Sequence, residues 1–151
     1  PVCGAYISNL DEKAPELGQA SLLVKGAGVS PSQAAVEAIL KADLYGTAVL
    51  LEEVGKISKK GGVGVTISSQ SGWRMPALTA EEDELLATAP TEELLNRSLL
   101  QPENIRDTLH AYQIAKRCNE KRVMAEAVKW GAAWRASQRH CPGNCRDASG
   151  A

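Results

Sequence analysis

Residues 21–72, SLLVKGAGVSPSQAAVEAILKADLYGTAVLLEEVGKISKKGGVGVTISSQSG, read as strand, helix and strand in one run. Leu22, Leu23 and Val24 form a short apolar segment leading into Gly26, Ala27 and Gly28. Apolar on both faces and closed by a glycine-bearing loop, it has the pattern of a buried parallel strand. Ser32 then offers an N-cap, and Val36, Ile39, Leu40, Leu44, Ala48, Leu51 and Val54 recur at helical spacing, which predicts one long helix over 32–58. Lys59, Lys60, Gly61 and Gly62 read as a polar turn, after which VGVTISS is β-branched and apolar as far as Ser68. This is a second buried strand that opens into a polar loop. Strands joined through a helix of this length make a right-handed βαβ unit and imply a parallel sheet. Ligands of such sheets bind beyond the carboxyl ends of the strands, here 26–28 and 68–72.

Outward from this unit, residues 110–131, HAYQIAKRCNEKRVMAEAVKWG, read as an amphipathic helix capped by Asp107 or Thr108. Tyr112 and Lys116 stand one turn apart on it, so phenol and ammonium can meet one substrate. Taken alone, that spacing is a weak signal, and a solvated lysine beside a half-buried tyrosine explains it equally well. Residues 74–106 hold Pro76, Pro90 and Pro102, with capping signals at Thr79–Glu82 and Thr91–Glu93, and read as short helices in a surface insertion or lid. Ile7, Leu10, Ala14 and Leu17 suggest one more short helix, stopped by Gly18.

The composition is that of a globular protein, 44% hydrophobic and 23% charged over 151 residues, enough for one domain. A formal net charge of −1 with scattered basic residues lacks the electrostatic footprint of a nucleic-acid or anionic-membrane partner. The first residues, PVCGAYISNLDEK, have neither a basic start nor an apolar signal core, and no apolar run reaches the ~20 residues of a membrane span, so a cytoplasmic location is expected. Cys3, Cys118, Cys141 and Cys145 are unevenly placed and read as thiols.

The order of strand, glycine loop, long helix, strand ending in paired serines, and Tyr-x-x-x-Lys helix resembles the short-chain dehydrogenase/reductase family over residues 22–131. The likeness is to hydroxysteroid dehydrogenase and carbonyl reductase members with an insertion before the tyrosine. It implies an α/β, partial Rossmann-like three-layer fold with a parallel sheet, residues 1–131 forming the central part of one NAD(P)-binding domain. It also implies hydride transfer between NAD or NADP and a small secondary alcohol or ketone, steroid-like molecules included. By the same resemblance Ser69 hydrogen-bonds the substrate carbonyl, Tyr112 is the general acid or base, and Lys116 binds the nicotinamide ribose and favours the phenolate. Gly26, Ala27, Gly28 and Ser68 join Tyr112 and Lys116 around the cofactor. The helices over 32–58 and 107–131 would form a homo-oligomer interface.

The chain departs from the family pattern at several points. Lys25 stands where the family's loop starts with Asn, and Asp43 stands where its helix carries a catalytic Asn. Asp43 can accept hydrogen bonds in a proton relay but offers no amide donor; a solvated or capping carboxylate is the alternative. Nothing in residues 1–21 matches the glycine-rich loop that holds a cofactor pyrophosphate at a helix N-terminus, so the resemblance begins partway into a dinucleotide-binding domain and weak cofactor binding is expected.

Residues 132–151 lose the apolar periodicity. His140, Cys141 and Cys145 are irregularly spaced and lack a fourth ligand, which gives little support for zinc. With suitable codons, a one-nucleotide shift turns Trp134–Ala151 into GARVNAIAPGIVATPLA, the strand and Pro-Gly loop expected next in the family. An out-of-frame, poorly packed tail is the resulting expectation. Beside the enzyme stand two other readings, a non-enzymatic helix-pairing module and a degraded gene product.

Overall fold

The computed structural model describes residues 20–132 and 136–140. Strand β1 (Ala20–Lys25) is followed by a helix in three continuous segments, α1 (Val36–Ile39), a π-helical stretch (Leu40–Tyr45) and α2 (Gly46–Ile57). Strand β2 (Ser58–Ile67), α3 (Ala80–Thr88), α4 (Thr108–Ala132) and β3 (Ala136–His140) complete the regular elements, with 3-10 turns between β2 and α4. The sheet order is β1-β2-β3 and both pairings are parallel. Two right-handed crossovers that step the same way across a sheet put both helices on one face. The other face is open among the described residues: Leu22 and Val24 of β1 are 62% and 59% exposed. The result is a partial Rossmann-like α/β fold in which two of the three layers are described. None of the described helices is long and apolar enough to cross a membrane.

Several local expectations need correction. The long helix starts at Val36 rather than beside Ser32, its N-cap Ala35 makes no side-chain bond, and the Ser32 hydroxyl instead meets that of Ser30 at 2.8 Å. The expected 59–62 turn lies inside β2. Ser58 ends the helix by donating its hydroxyl to Val54 O at 2.6 Å, and the chain enters the sheet at once. The surplus residues are absorbed as a bulge, since Ala20 pairs with Ser58 but Leu22 with Val63. Residues from 132 onward were expected to pack poorly, yet Ala136–His140 pair with Val63–Ile67. Sheet pairing is made by main-chain groups, so a strand can form there without an apolar side-chain pattern. The short helix expected over 7–17, and Cys3, Cys141 and Cys145, lie outside the described residues.

The capping box is as read: Thr79 Oγ1 accepts from Glu82 N at 3.2 Å and Glu82 Oε2 from Thr79 N at 2.8 Å. Thr91 does not cap the next turn; its hydroxyl donates to Glu52 Oε2 at 2.8 Å, and Pro90 takes the cap position. Of the two residues proposed to start α4, Asp107 does so, its Oδ1 accepting from His110 N at 2.7 Å.

The 74–106 segment is not a surface excursion. Leu86, Ala89, Leu94, Leu100 and Ile105 are buried in one core with Ile39, Leu44, Ala48, Ile114 and Cys118. Each large apolar side chain buried this way contributes about 1.5–3 kcal/mol. Arg122, buried, donates from Nε to Leu86 O at 2.9 Å and from Nη2 to Ala89 O, closing the carbonyl end of α3. Asp83 of α3 accepts from Arg117 Nε at 2.9 Å and Nη2 at 2.6 Å, with Lys121 Nζ at 2.8 Å.

Because the sheet, α2 and α3 all press on it, α4 is not simply amphipathic. Lys116, Asn119, Glu120, Arg122 and Glu126 are buried, whereas Met124 and Val128 are exposed. Burial pushes the Cys118 thiol up to about 12, which makes it a packing residue. Trp130, at the far end of α4, is wedged between α2 and β2: a Cβ on Gly55 would come within 2.6 Å of its Nε1, and one on Gly64 within 2.9 Å of its Cζ3.

Gly64→Ala is therefore expected to lower unfolding stability by about 1–3 kcal/mol, because a rigid sheet backbone meets a rigid ring. Urea denaturation with an unchanged midpoint would contradict this packing. Asp83 gives a second expectation. The Arg117 guanidinium, ahead of the Lys121 ammonium, holds its carboxyl below the ordinary carboxylate value near 3.9. A lowered folded value means that the contribution is present above the unfolded value and is lost as pH falls through the folded one. Asp83→Asn should cost roughly 1–2 kcal/mol at neutral pH, with the gap to wild type closing as pH falls below about 4. Thermal unfolding of both proteins across that range measures it, and a gap independent of pH would refute it.

Candidate active site

The site forms where β1 ends, the π segment turns and α4 passes. A π turn widens the helix and is seldom tolerated without reason. Here Gly46 N reaches back five residues to Lys41 O, and Asp43 sits wholly buried in the middle of the stretch. The Thr47 hydroxyl donates to Asp43 O at 2.7 Å, which satisfies a carbonyl in the irregular turn.

The Asp43 carboxylate points at two partners. Oδ1 accepts from Val29 N at 2.9 Å, fastening the loop that follows β1. Gly28 makes room for this, since a Cβ there would lie 2.7 Å from Oδ1. Oδ2 lies 3.7 Å from Lys116 Nζ and has no hydrogen-bond partner among the described residues. Both side chains are almost out of solvent, 0% exposed for Asp43 and 8% for Lys116. An ammonium is costly to bury unpaired, so the carboxylate opposite it is what makes its position tenable. Lys116 Nζ is also 5.1 Å from the centroid of the Tyr112 ring, within cation–π range. Tyr112 is half-buried at the edge of the core.

Lys25, where an Asn was expected, is spent locally: it is buried and donates from Nζ to Ala27 O. Gly26 and Ala27 thus belong to a loop tied at both ends, and Gly26 faces Ile67 at the end of β2. Ser68 is buried at that strand end. Ser69 caps the 3-10 turn Gln70–Trp73, its Oγ accepting from Ser71 N at 3.2 Å. A hydroxyl that accepts from the main chain keeps its own proton to donate.

Asp43, Lys116, Tyr112 and the 26–29 loop are thus brought together. Ser69 sits on a loop pressed against the turn of α4 that carries Lys116. The contact is made by Gly72, where a Cβ would lie 2.9 Å from Arg117 N and 3.2 Å from Lys116 C. The sequence gives Gly72 a place in the 68–72 loop but no packing role, and gives none to Val29 or Thr47. The glycine after SSQS was the available signal for the first; nothing local announced the other two. A cleft of about 490 Å³ lies elsewhere, lined by Glu52, Lys56, Thr91, Glu126 and Trp130. Fourteen residues of helix, about 21 Å, separate Trp130 from Lys116.

No family model matches the chain. It is 35% identical over 121 residues, 79% of its length and 43% of the relative's, to short-chain dehydrogenase/reductase bsc3 of Alternaria brassicicola. Its fold is similar to the 3-alpha-hydroxysteroid dehydrogenase of Pseudomonas sp. B-0831, solved with NADH, at a TM-score of 0.71 and 16% identity over 93% of this chain and 55% of that one. It is also similar to BdcA solved with NADPH, at a TM-score of 0.60 and 15% identity over 91% and 47%. In sequence the chain is thus similar to a short-chain dehydrogenase/reductase, and its fold is similar to that of two proteins solved with nicotinamide cofactors. It spans about half the length of the proteins it matches.

Proposed function

We propose that this chain carries the proton-transfer part of a dehydrogenase or carbonyl reductase site that uses NAD or NADP and acts on a secondary alcohol or ketone. The observation that supports this most is the buried Asp43–Lys116 pair beneath Tyr112, with Nζ 3.7 Å from Oδ2 and 5.1 Å from the ring centroid. A phenol ionises only near 10 in water and needs a neighbouring positive charge to work closer to neutrality. Lys116 places an ammonium 5.1 Å from the centroid of the Tyr112 ring. Tyr112 gives its hydroxyl proton to a carbonyl oxygen, or takes one from an alcohol, while Ser69 donates a hydrogen bond to the same oxygen.

Lys116 has ammonium donors left beyond its carboxylate partner Asp43, and the 26–29 loop is held beside it through that residue. That donor set suits the hydroxyls of a ribose. When bound there, a nicotinamide dinucleotide supplies the hydride donor or acceptor. Asp43 is not a proton donor in this reading; it fixes the ammonium and the loop at once. Hydroxysteroids, the substrate class named for one fold neighbour, are the first substrates to test. A cytoplasmic setting suits the free, buried thiol of Cys118.

Titration with NADH and NADPH, followed through the amide signals of residues 26–29, tests the assignment. Weak but saturable shifts are expected, and Lys116→Met should weaken them about tenfold or more, the worth of one charge-assisted contact. Tyr112→Phe should leave binding alone and cut ketone reduction about 100-fold. Equal binding by wild type and Lys116→Met sinks the reading.

A second reading, pairing of two copies through α2 and α4, is favoured by Met124 and Val128, 44% and 75% exposed on α4. Light scattering should then give a dimer that Val128→Glu converts to monomer. A monomer at all concentrations removes this reading and leaves the first intact.

A further inference from the structure

The loop that carries Ser69 ends in an unusual pair, Trp73 followed by the sharp exit at Arg74. Trp73 is 55% exposed, yet one face of its ring is covered, because the Arg117 guanidinium carbon lies 4.1 Å from the ring centroid. Arg117 is the residue next to Lys116. Its side chain is only 13% exposed, and its plane is set by the two parallel bonds to Asp83 Oδ1 and Oδ2 at 2.9 and 2.6 Å. A bidentate guanidinium–carboxylate pair is directional, so it fixes the surface on which an indole can stack. The same residue meets the loop a second time through its main chain, where Gly72 fits only for want of a Cβ.

Within itself the loop is held by short-range bonds, among them Arg74 Nη2 to Gln70 Oε1 at 3.2 Å. Its 3-10 turn rests on Gly72 N to Ser69 O at 3.2 Å, Arg74 N to Ser71 O at 3.1 Å and Ser71 N to Ser69 Oγ at 3.2 Å. Such turns are short and poorly hydrogen-bonded on their own. The end of the loop beyond Ser69 meets the helix that bears Tyr112 and Lys116 through Gly72 on the Lys116–Arg117 main chain and Trp73 on the Arg117 guanidinium.

We propose that Arg117 is a positioning residue: clamped by Asp83 of α3, it supports Trp73 and Gly72 and so fixes the Ser69 loop against the Tyr112–Lys116 turn. The 74–106 segment then does more than fill the core. It sets the orientation of the guanidinium, and through it the placement of the hydroxyl that meets the substrate oxygen. The consequence for catalysis rests on the reading of Ser69, Tyr112 and Lys116 proposed above, whereas the placement of the loop can be tested without it.

Hydrogen exchange at single amides decides the matter on the chain itself. Arg117→Ala and Trp73→Leu should each speed exchange at Ser71, Gly72 and Arg74 by about tenfold or more. Exchange within β1 and at residues 63–67 should stay as in wild type. Arg117→Lys keeps a cation beside Asp83 but has no planar face, so it should behave as Arg117→Ala. Trp73 is half in solvent, so Trp73→Leu remains informative if Arg117→Ala fails to fold. Unchanged exchange at 69–74 in the folded variants overturns the proposal, and so does a uniform rise along the whole chain, which marks general destabilisation. In a turnover assay, Trp73→Leu should lower kcat with cofactor affinity unchanged; a loss of cofactor affinity alone also counts against it. Absence of turnover in wild type would fall on the catalytic reading and leave the exchange result to judge Arg117.

Discussion

Placing an ammonium group inside a protein is the constraint around which the rest of this fold is arranged. Lys116 is almost fully removed from water, and a buried cation without a partner costs several kcal/mol. Asp43 meets that demand, and each irregular feature nearby follows from bringing it there. The helix opens into a π turn at Leu40–Tyr45, Thr47 satisfies a carbonyl of that turn, and Gly28 leaves space for the carboxylate. The loop after β1 is then tied to the same carboxylate through Val29 N. One ion pair therefore links the first βαβ unit to the helix that follows it.

Electrostatics also organises the other side of α4. Arg117 and Lys121 hold Asp83, while Arg122 closes the carbonyl end of α3. These basic residues lie on consecutive turns and face an element whose apolar side, Leu86 and Ala89, is already in the core. Apolar burial supplies most of the free energy, and the charged bonds choose a single orientation for α3. The 74–106 segment, which has the look of an appendage when read as prolines and acidic turns, is thereby integral to the core. Its residues Leu94, Leu100 and Ile105 are spaced too irregularly for a periodicity argument to register them.

Much of the outline was legible in the chain itself. The apolar run at Leu22–Val24, the periodic helix through Val54 and the β-branched strand ending at Ser68 are local patterns, and local patterns survive into the fold. The capping box at Thr79–Glu82 survived for the same reason, both of its hydrogen bonds being made within one turn. Ser32 failed as a cap because the chain had to bend at Val29 to reach Asp43, fourteen residues on, and the helix could begin only after that. The 59–62 turn failed because a main-chain ladder accepted those residues as a bulge. The helix over 110–131 reads as amphipathic, yet several of its polar residues are buried, because three other elements surround it.

By itself the sequence determined the order of elements, the parallel sheet, and the Tyr112–Lys116 couple on one helix face, since each depends on spacing along the chain. Tertiary structure alone decided that Lys116 pairs with Asp43 across 73 positions, and that Gly72 and Trp73 seat the serine loop on Arg117. The physical reason is that a buried charge and a close backbone contact are set by what lies opposite in space. No periodicity, cap or turn signal encodes that neighbour.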